Sequence, residues 1–118
     1  MVEDTDIARK VALMVLESLN CEADIAVNGE QAINKAKNNQ YDLILLDIGL
    51  PDISGTEVAK KIRAIETENS RLPAPIIALT AHITQSNIQL CLTSGIQQVL
   101  KKPLSETRVK TLFENWVG

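Results

Sequence analysis

The sequence predicts an α/β domain in which helices cover a parallel sheet, and three observations carry that prediction. The apolar runs Leu43-Ile44-Leu45-Leu46 and Ile76-Ile77-Ala78-Leu79 are continuous, as in strands buried on both faces, where an alternating pattern would mark a half-exposed sheet. Segments with helical periodicity alternate with such runs along the chain. The core must also be aliphatic, because 45% of the 118 residues are hydrophobic but only 3% are aromatic. That length fits a single domain, residues 1–118.

The elements follow in order. Thr5 to Asn20 carries Ile7, Val11, Val15 and Leu19 at four-residue steps, the stripe of an amphipathic helix. Ala23, Ile25 and Val27 form a short strand, closed by an Asn28-Gly29 turn. Glu30 to Asn38 is helical, with Ile33 and Ala36 inward. Tyr41 to Leu46 is the buried strand of the middle of the sheet. The loop Asp47 to Gly55 contains Pro51, and the helix after it places Val58, Ile62 and Ile65 on one face. Pro73 and Pro75 precede the strand Ile76–Leu79. Thr84 to Ser94 is a helix stopped by Gly95 at its C′ position. Val99-Leu100 is a short last strand, and Ser105 caps a final helix with Val109, Leu112, Phe113 and Trp116 inward. Only Met1 and Val2 precede the first acidic residues, so the sequence reads as truncated within its own first strand, as if cut from a longer polypeptide.

Charge and cysteine content narrow the function. A net charge of -3 supplies no field toward nucleic acid or anionic lipid. No apolar run reaches the roughly 20 residues of a membrane span, and no secretory leader pattern opens the chain. Cys21 and Cys91 form no CxxC unit and have no histidine at ligand spacing, so they read as reduced thiols.

Ligands of open parallel sheets bind beyond the carboxyl ends of the strands. Four features fall there: Glu3-Asp4 after the first strand, Asp47 after the third, Thr80 after the fourth and Lys102 after the fifth. Taken singly each is ordinary, since an aspartate after a strand is usually a cap and a lysine before proline is usually exposed. Their coincidence is specific. A flavin-binding electron carrier shares the alternation, but it needs a Ser/Thr/Gly phosphate cradle after the first strand, where this chain has Glu3-Asp4-Thr5-Asp6. A haloacid-dehalogenase-type phosphatase needs an acid two residues beyond its nucleophile, where Gly49 stands.

With Val2-Glu3-Asp4, Leu45-Leu46-Asp47, Leu50-Pro51-Asp52-Ile53-Ser54-Gly55, Ala78-Leu79-Thr80-Ala81 and Lys102-Pro103, the chain resembles the receiver family of response regulators over nearly its whole length. The resemblance implies a flavodoxin-like, doubly wound, five-stranded parallel sheet of order 2-1-3-4-5 with the first strand truncated. It implies an aspartyl phosphate at Asp47, taken from a phosphohistidine and then passed on or hydrolysed. It implies Mg²⁺ held directly by Asp4 and Asp47, by Glu3 through water and by the Gly49 carbonyl. Thr80 and Lys102 would contact the phosphoryl group, the latter aimed by a cis Lys102-Pro103 peptide. A degenerate receiver acting only as a binding module would lack one of these groups.

Gly49 and Gly55 are expected to relieve crowding around the acceptor loop. The lone histidine, His82, reads as an exposed rim residue. One departure stands out: receivers commonly place Tyr or Phe three residues before the lysine, and here that residue is Val99. A relay role is therefore expected over a strong conformational switch. The expected partners are a histidine kinase core or a histidine-phosphotransfer domain docking on Ile7, Ala8 and Val11 of the first helix. The domain is expected to be cytoplasmic and monomeric, without nucleic-acid or membrane contact. The run Pro75 to Ala81 points to the receivers of hybrid sensor histidine kinases, with a stand-alone single-domain regulator as the alternative.

Overall fold

Among the described residues three strands form the sheet: β1 (Ile44–Asp47), β2 (Ile76–Thr80) and β3 (Gln98–Lys101), all parallel and in that spatial order. The computed structural model describes residues 1–2, 6–18, 24, 26–50, 52–102 and 105–116. Beyond β1 the sheet continues through Val2, which bridges in parallel to Leu46 on one side and to Ala26 on the other. The spatial sequence Ala26, Val2, β1, β2, β3 is the expected 2-1-3-4-5 order. Its first two strands are represented among the described residues by single bridged positions. Ala23, Ile25, Leu19 and Cys21 lie outside those residues.

Among the described residues five helices flank the strands: α1 (Asp6–Ser18), α2 (Gly29–Asn38), α3 (Gly55–Glu68), α4 (Gln85–Thr93) and α5 (Glu106–Trp116). The period-two pleat of each strand feeds two separate cores. Ile44, Leu46, Ile76 and Ala78 meet Ala32 and Ala36 of α2, Val58, Ala59, Ile62 and Ile65 of α3, and Cys91 of α4. Leu45, Ile77 and Leu79 point the other way, onto Ala12 and Leu16 of α1 and Val109 and Leu112 of α5. This two-sided burial is why the strand sequences do not alternate. Truncating a residue such as Leu46, fully buried between the layers, would cost about 2–5 kcal/mol.

Four of these helices begin where the chain supplies an acceptor. The side chains of Asn28, Ser54 and Thr84 accept from the N–H groups of Gln31, Glu57 and Asn87, and the Ser105 hydroxyl accepts from Arg108 at 3.2 Å. Gly95, at φ +93°, ends α4 in the left-handed conformation, as expected. Three details differ from the sequence reading. Asn28-Gly29 does not close a strand as a turn; it caps and opens α2. The buried stripe of α1 is Ala12 and Leu16, while Ile7 and Val11 are exposed; the four-residue step ran along the helix shoulder. Trp116 is not inward: it stays exposed, and its indole N–H donates to Gln98 Oε1 at 2.9 Å. The Phe113 side chain lies outside the described set.

The amino end of the sheet is locked by charge. Arg63 donates from Nε and Nη2 to the Gly95 carbonyl (3.0 and 2.7 Å), from Nη2 to Gln97 Oε1 (2.9 Å), and from Nη1 to the Ala74 carbonyl (2.8 Å) and Glu66 Oε1 (2.7 Å). Glu66 Oε2 accepts the Ala74 N–H, and Gln97 Oε1 also accepts the Ile76 N–H, each at 2.7 Å.

Candidate functional site

At the opposite end the sheet gathers four of the six residues singled out in the sequence, Asp47, Thr80 and Lys102 at the strand ends and Gly49 in the loop beside Asp47. Asp47 closes β1; its N–H donates to Val2 O at 3.0 Å, and the next N–H, of Ile48, donates to Leu79 O at 3.1 Å. The neighbouring β2 ends at Thr80, which pairs with Lys101 of β3, and the Lys102 N–H donates to Thr80 O at 2.8 Å. The parallel register thus brings Asp47, Thr80 and Lys102 to one edge although 55 positions separate the first from the last. Val2, whose successors in sequence are Glu3 and Asp4, flanks Asp47 on its other side, where the strand order reverses. Glu3, Asp4 and Pro103 lie outside the described residues, and with them the acidic pair and the cis peptide.

The Asp47 carboxylate is buried, with a side-chain exposure of 6%, and lies 3.0 Å through Oδ2 from the Lys102 ammonium, itself 25% exposed. Its Oδ1 accepts the Gly49 N–H at 3.0 Å. Burying a carboxylate is costly unless it is paired, and here the cation supplies the compensation. The Thr80 hydroxyl donates to the His82 carbonyl at 3.0 Å and accepts the His82 N–H at 3.3 Å, while His82 itself is exposed at the rim. Val99 is half-buried in β3 and packs against the α2–α3 core.

The two glycines behave differently. A Cβ on Gly55 would stand 2.6 Å from the Asp47 carbonyl oxygen and 2.7 Å from Ile48 Cα, so α3 can start against the end of β1 only with glycine there. A Cβ on Gly49 would meet, among the described residues, Asp47 Oδ1 at an ordinary 3.9 Å, so none of them crowds that position.

One site-loop residue escaped the sequence reading. Asp52 reaches from the acceptor loop to the start of α2, accepting the Gly29 N–H on Oδ1 at 2.9 Å and the Glu30 N–H on Oδ2 at 3.0 Å. Those bonds, the Gly29 one foremost, hold its carboxyl below the usual carboxylate range. No local pattern could have disclosed them, because the partners are 23 and 22 residues away.

The donor set can be tested against Mg²⁺, a hard cation that takes oxygen ligands and retains waters. Among the described residues no group of three or more acidic, His or Cys side chains stands ready to hold a metal. Asp47 nevertheless fits as a ligand. Among the described residues each of its oxygens takes a single partner, and a carboxylate oxygen has two lone pairs. The residues present therefore fit the ion in part, through the oxygen chemistry of Asp47.

An open parallel sheet with a carboxylate–ammonium pair at its switch point defines a doubly wound α/β domain of the ligand-at-the-strand-ends class. More particularly, the chain belongs to the response regulator receiver domain family, whose model matches residues 1–114. It is 39% identical over 116 residues to the aerobic respiration control sensor protein ArcB of Escherichia coli, covering 98% of this chain and 14% of that protein. Among eight of the curated relatives it matches, the chain spans between 5% and 20% of each one's length. The receiver domain of sensor histidine kinase PA1611 from Pseudomonas aeruginosa, solved with a magnesium ion coordinated in its active-site cleft, superposes with a TM-score of 0.88 at 33% identity, covering 99% of this chain and 93% of that one. The receiver domain of the Saccharomyces cerevisiae response regulator Ssk1, in complex with the histidine phosphotransfer protein Ypd1, gives a TM-score of 0.90 at 32% identity over 98% of this chain and 84% of that one. No helix among the described residues is long and apolar enough to cross a membrane.

Proposed function

We propose that residues 1–118 act as a single phosphoacceptor domain, in which Asp47 takes a phosphoryl group from a phosphohistidine and gives it up to a second histidine or to water. The observation that carries this reading is the buried Asp47 carboxylate, held 3.0 Å from the Lys102 ammonium at the switch point of the sheet. An Asp47 oxygen attacks phosphorus as the P–N bond to the imidazole breaks, and the bonding pair leaves with the ring nitrogen. The product is an acyl phosphate on Asp47. Lys102, released from the carboxylate as its charge is shared, follows the phosphoryl oxygens as a point charge. The Thr80 hydroxyl turns from the His82 carbonyl to donate to the same group. Mg²⁺, held by Asp47 and Asp4 with Glu3 through water and the Gly49 carbonyl, would supply the charge neutralisation that lets an anionic nucleophile meet an anionic phosphoryl group.

The donor and recipient are a histidine kinase core or a histidine-phosphotransfer domain of the same cytoplasmic relay. The hybrid kinases among the relatives support a parent of that kind, and the Ssk1–Ypd1 complex supports the partner type. On this chain the docking surface is the start of α1, where Ile7 and Val11 are 75% and 42% exposed; the Ala8 side chain lies outside the described set. With Val99 in place of an aromatic ring, the domain relays phosphate without a large change in its α4–β3–α5 face.

Incubation with a small acyl phosphate donor and Mg²⁺ tests the reading by intact mass. The expected result is a gain of one phosphoryl group by the wild type and none by Asp47→Asn. Quantitative modification of the Asp47→Asn protein would contradict it.

A further inference from the structure

The first turn of α2 divides its unpaired donors between two acceptors. The Gln31 N–H goes to the cap Asn28 within the same segment, whereas those of Gly29 and Glu30 go to Asp52, across the gap to the acceptor loop. The approach is close in its own right. A Cβ on Gly29 would come within 2.9 Å of Val58 Cγ2 and 3.2 Å of Ile53 Cβ, so α2 starts directly against the loop and the first turn of α3. Among the described residues the loop is therefore gripped at four points. Ile48 N–H is on the Leu79 carbonyl, Gly49 N–H is on Asp47, Gly55 N–H is on the Ile48 carbonyl at 2.9 Å, and Asp52 is on α2. The Ile48 bond ties the start of the loop to β2, and the Asp52 bonds tie its far side to a helix.

We propose that Asp52 is a positioning residue for the phosphoacceptor site: its carboxylate clasps the loop to the start of α2 and thereby fixes Gly49 beside Asp47. Both oxygens of Asp52 are engaged by backbone N–H groups at the start of α2, and through these bonds it acts on the position of the loop. The inference rests on the reading of Asp47 as a Mg²⁺-assisted acceptor. Without the clasp the loop retains its bonds at Ile48, Gly49 and Gly55 but loses its tie to α2, and a carbonyl ligand at Gly49 must be ordered anew on each binding event. Groups that orient metal ligands in this indirect way typically contribute about tenfold or more to affinity.

The test is an NMR titration of the ¹⁵N-labelled chain with Mg²⁺, alongside amide hydrogen exchange and thermal melting, for wild type, Asp52→Ala, Asp52→Asn and Asn28→Ala. Asp52→Ala should bind Mg²⁺ about tenfold more weakly, with faster exchange at Gly49. Asp52→Asn, which keeps one acceptor oxygen, should fall between. Asn28→Ala removes a cap of the same helix without touching the loop, so it should melt earlier yet keep wild-type affinity and wild-type Gly49 exchange. Wild-type values for Asp52→Ala, or an equal loss of affinity in Asn28→Ala, would overturn the proposal. A wild type that binds no Mg²⁺ would refute the metal assignment instead. Gly49 exchange alone then decides the clasp, which stands if Asp52→Ala speeds that exchange and falls if it does not.

Discussion

The two ends of the sheet each carry a charge pair, set in different surroundings. At the amino end the Arg63 guanidinium reaches two carbonyls, an amide oxygen and the Glu66 carboxylate, and Glu66 also accepts the Ala74 N–H. At the carboxyl end the Asp47 carboxylate is as buried as Glu66 and, among the described residues, likewise takes one partner on each oxygen, the Gly49 N–H and the Lys102 ammonium. The carboxylates are matched, and their neighbours differ. The amino-end pair ties together the carbonyls of Ala74 and Gly95, whereas the carboxyl-end pair stands beside Thr80 at the strand ends, where parallel sheets bind ligands. Fold and site thus use similar residues, and their place in the sheet tells them apart.

Mutations at the two ends should separate them. Arg63→Ala leaves Glu66 without its cation and strips the Gly95 and Ala74 carbonyls, and is expected to lower stability by about 3–5 kcal/mol in urea unfolding while leaving phosphorylation of the remaining folded protein unchanged. A loss of less than 1 kcal/mol on the order of surface substitutions would erase the contrast. Gly55→Ala should cost about 1–3 kcal/mol, since the new methyl meets backbone atoms that cannot step aside, and it should also slow phosphorylation by tilting α3 away from β1. Asp47→Asn, by contrast, should change stability by about 1 kcal/mol or less, because it removes the buried charge itself and keeps an amide oxygen as acceptor, while the Lys102 ammonium is 25% exposed to water. Calorimetry placing that variant far below wild type would recast Asp47 as a structural residue.

How much of this was legible in the sequence depended on the range of the interaction. Strand and helix order followed from continuous apolar runs and local caps, and Ser105, Thr84 and Gly95 behaved as their types suggest. The convergence of Asp47, Thr80 and Lys102 was legible because a parallel sheet sends every strand end to one edge. Amphipathic detail was less so. On α1 the step of four selected Ile7 and Val11, while small Ala12 took the buried place beside α5. Asn28-Gly29 looked like a turn because the same residue types serve turns and helix starts. Asp52 gave no local sign at all, since its partners belong to a different helix.

The central claim is that one carboxylate in this chain, Asp47, accepts phosphate. Its most direct test is to phosphorylate the wild-type domain, reduce the acyl phosphate with borohydride and map the peptides by mass spectrometry. Reduction converts a phosphorylated aspartate to homoserine, so the account predicts homoserine at position 47 and at no other aspartate. Modification at Asp42, at Asp52 or on the ring of His82, with position 47 unchanged, would contradict it.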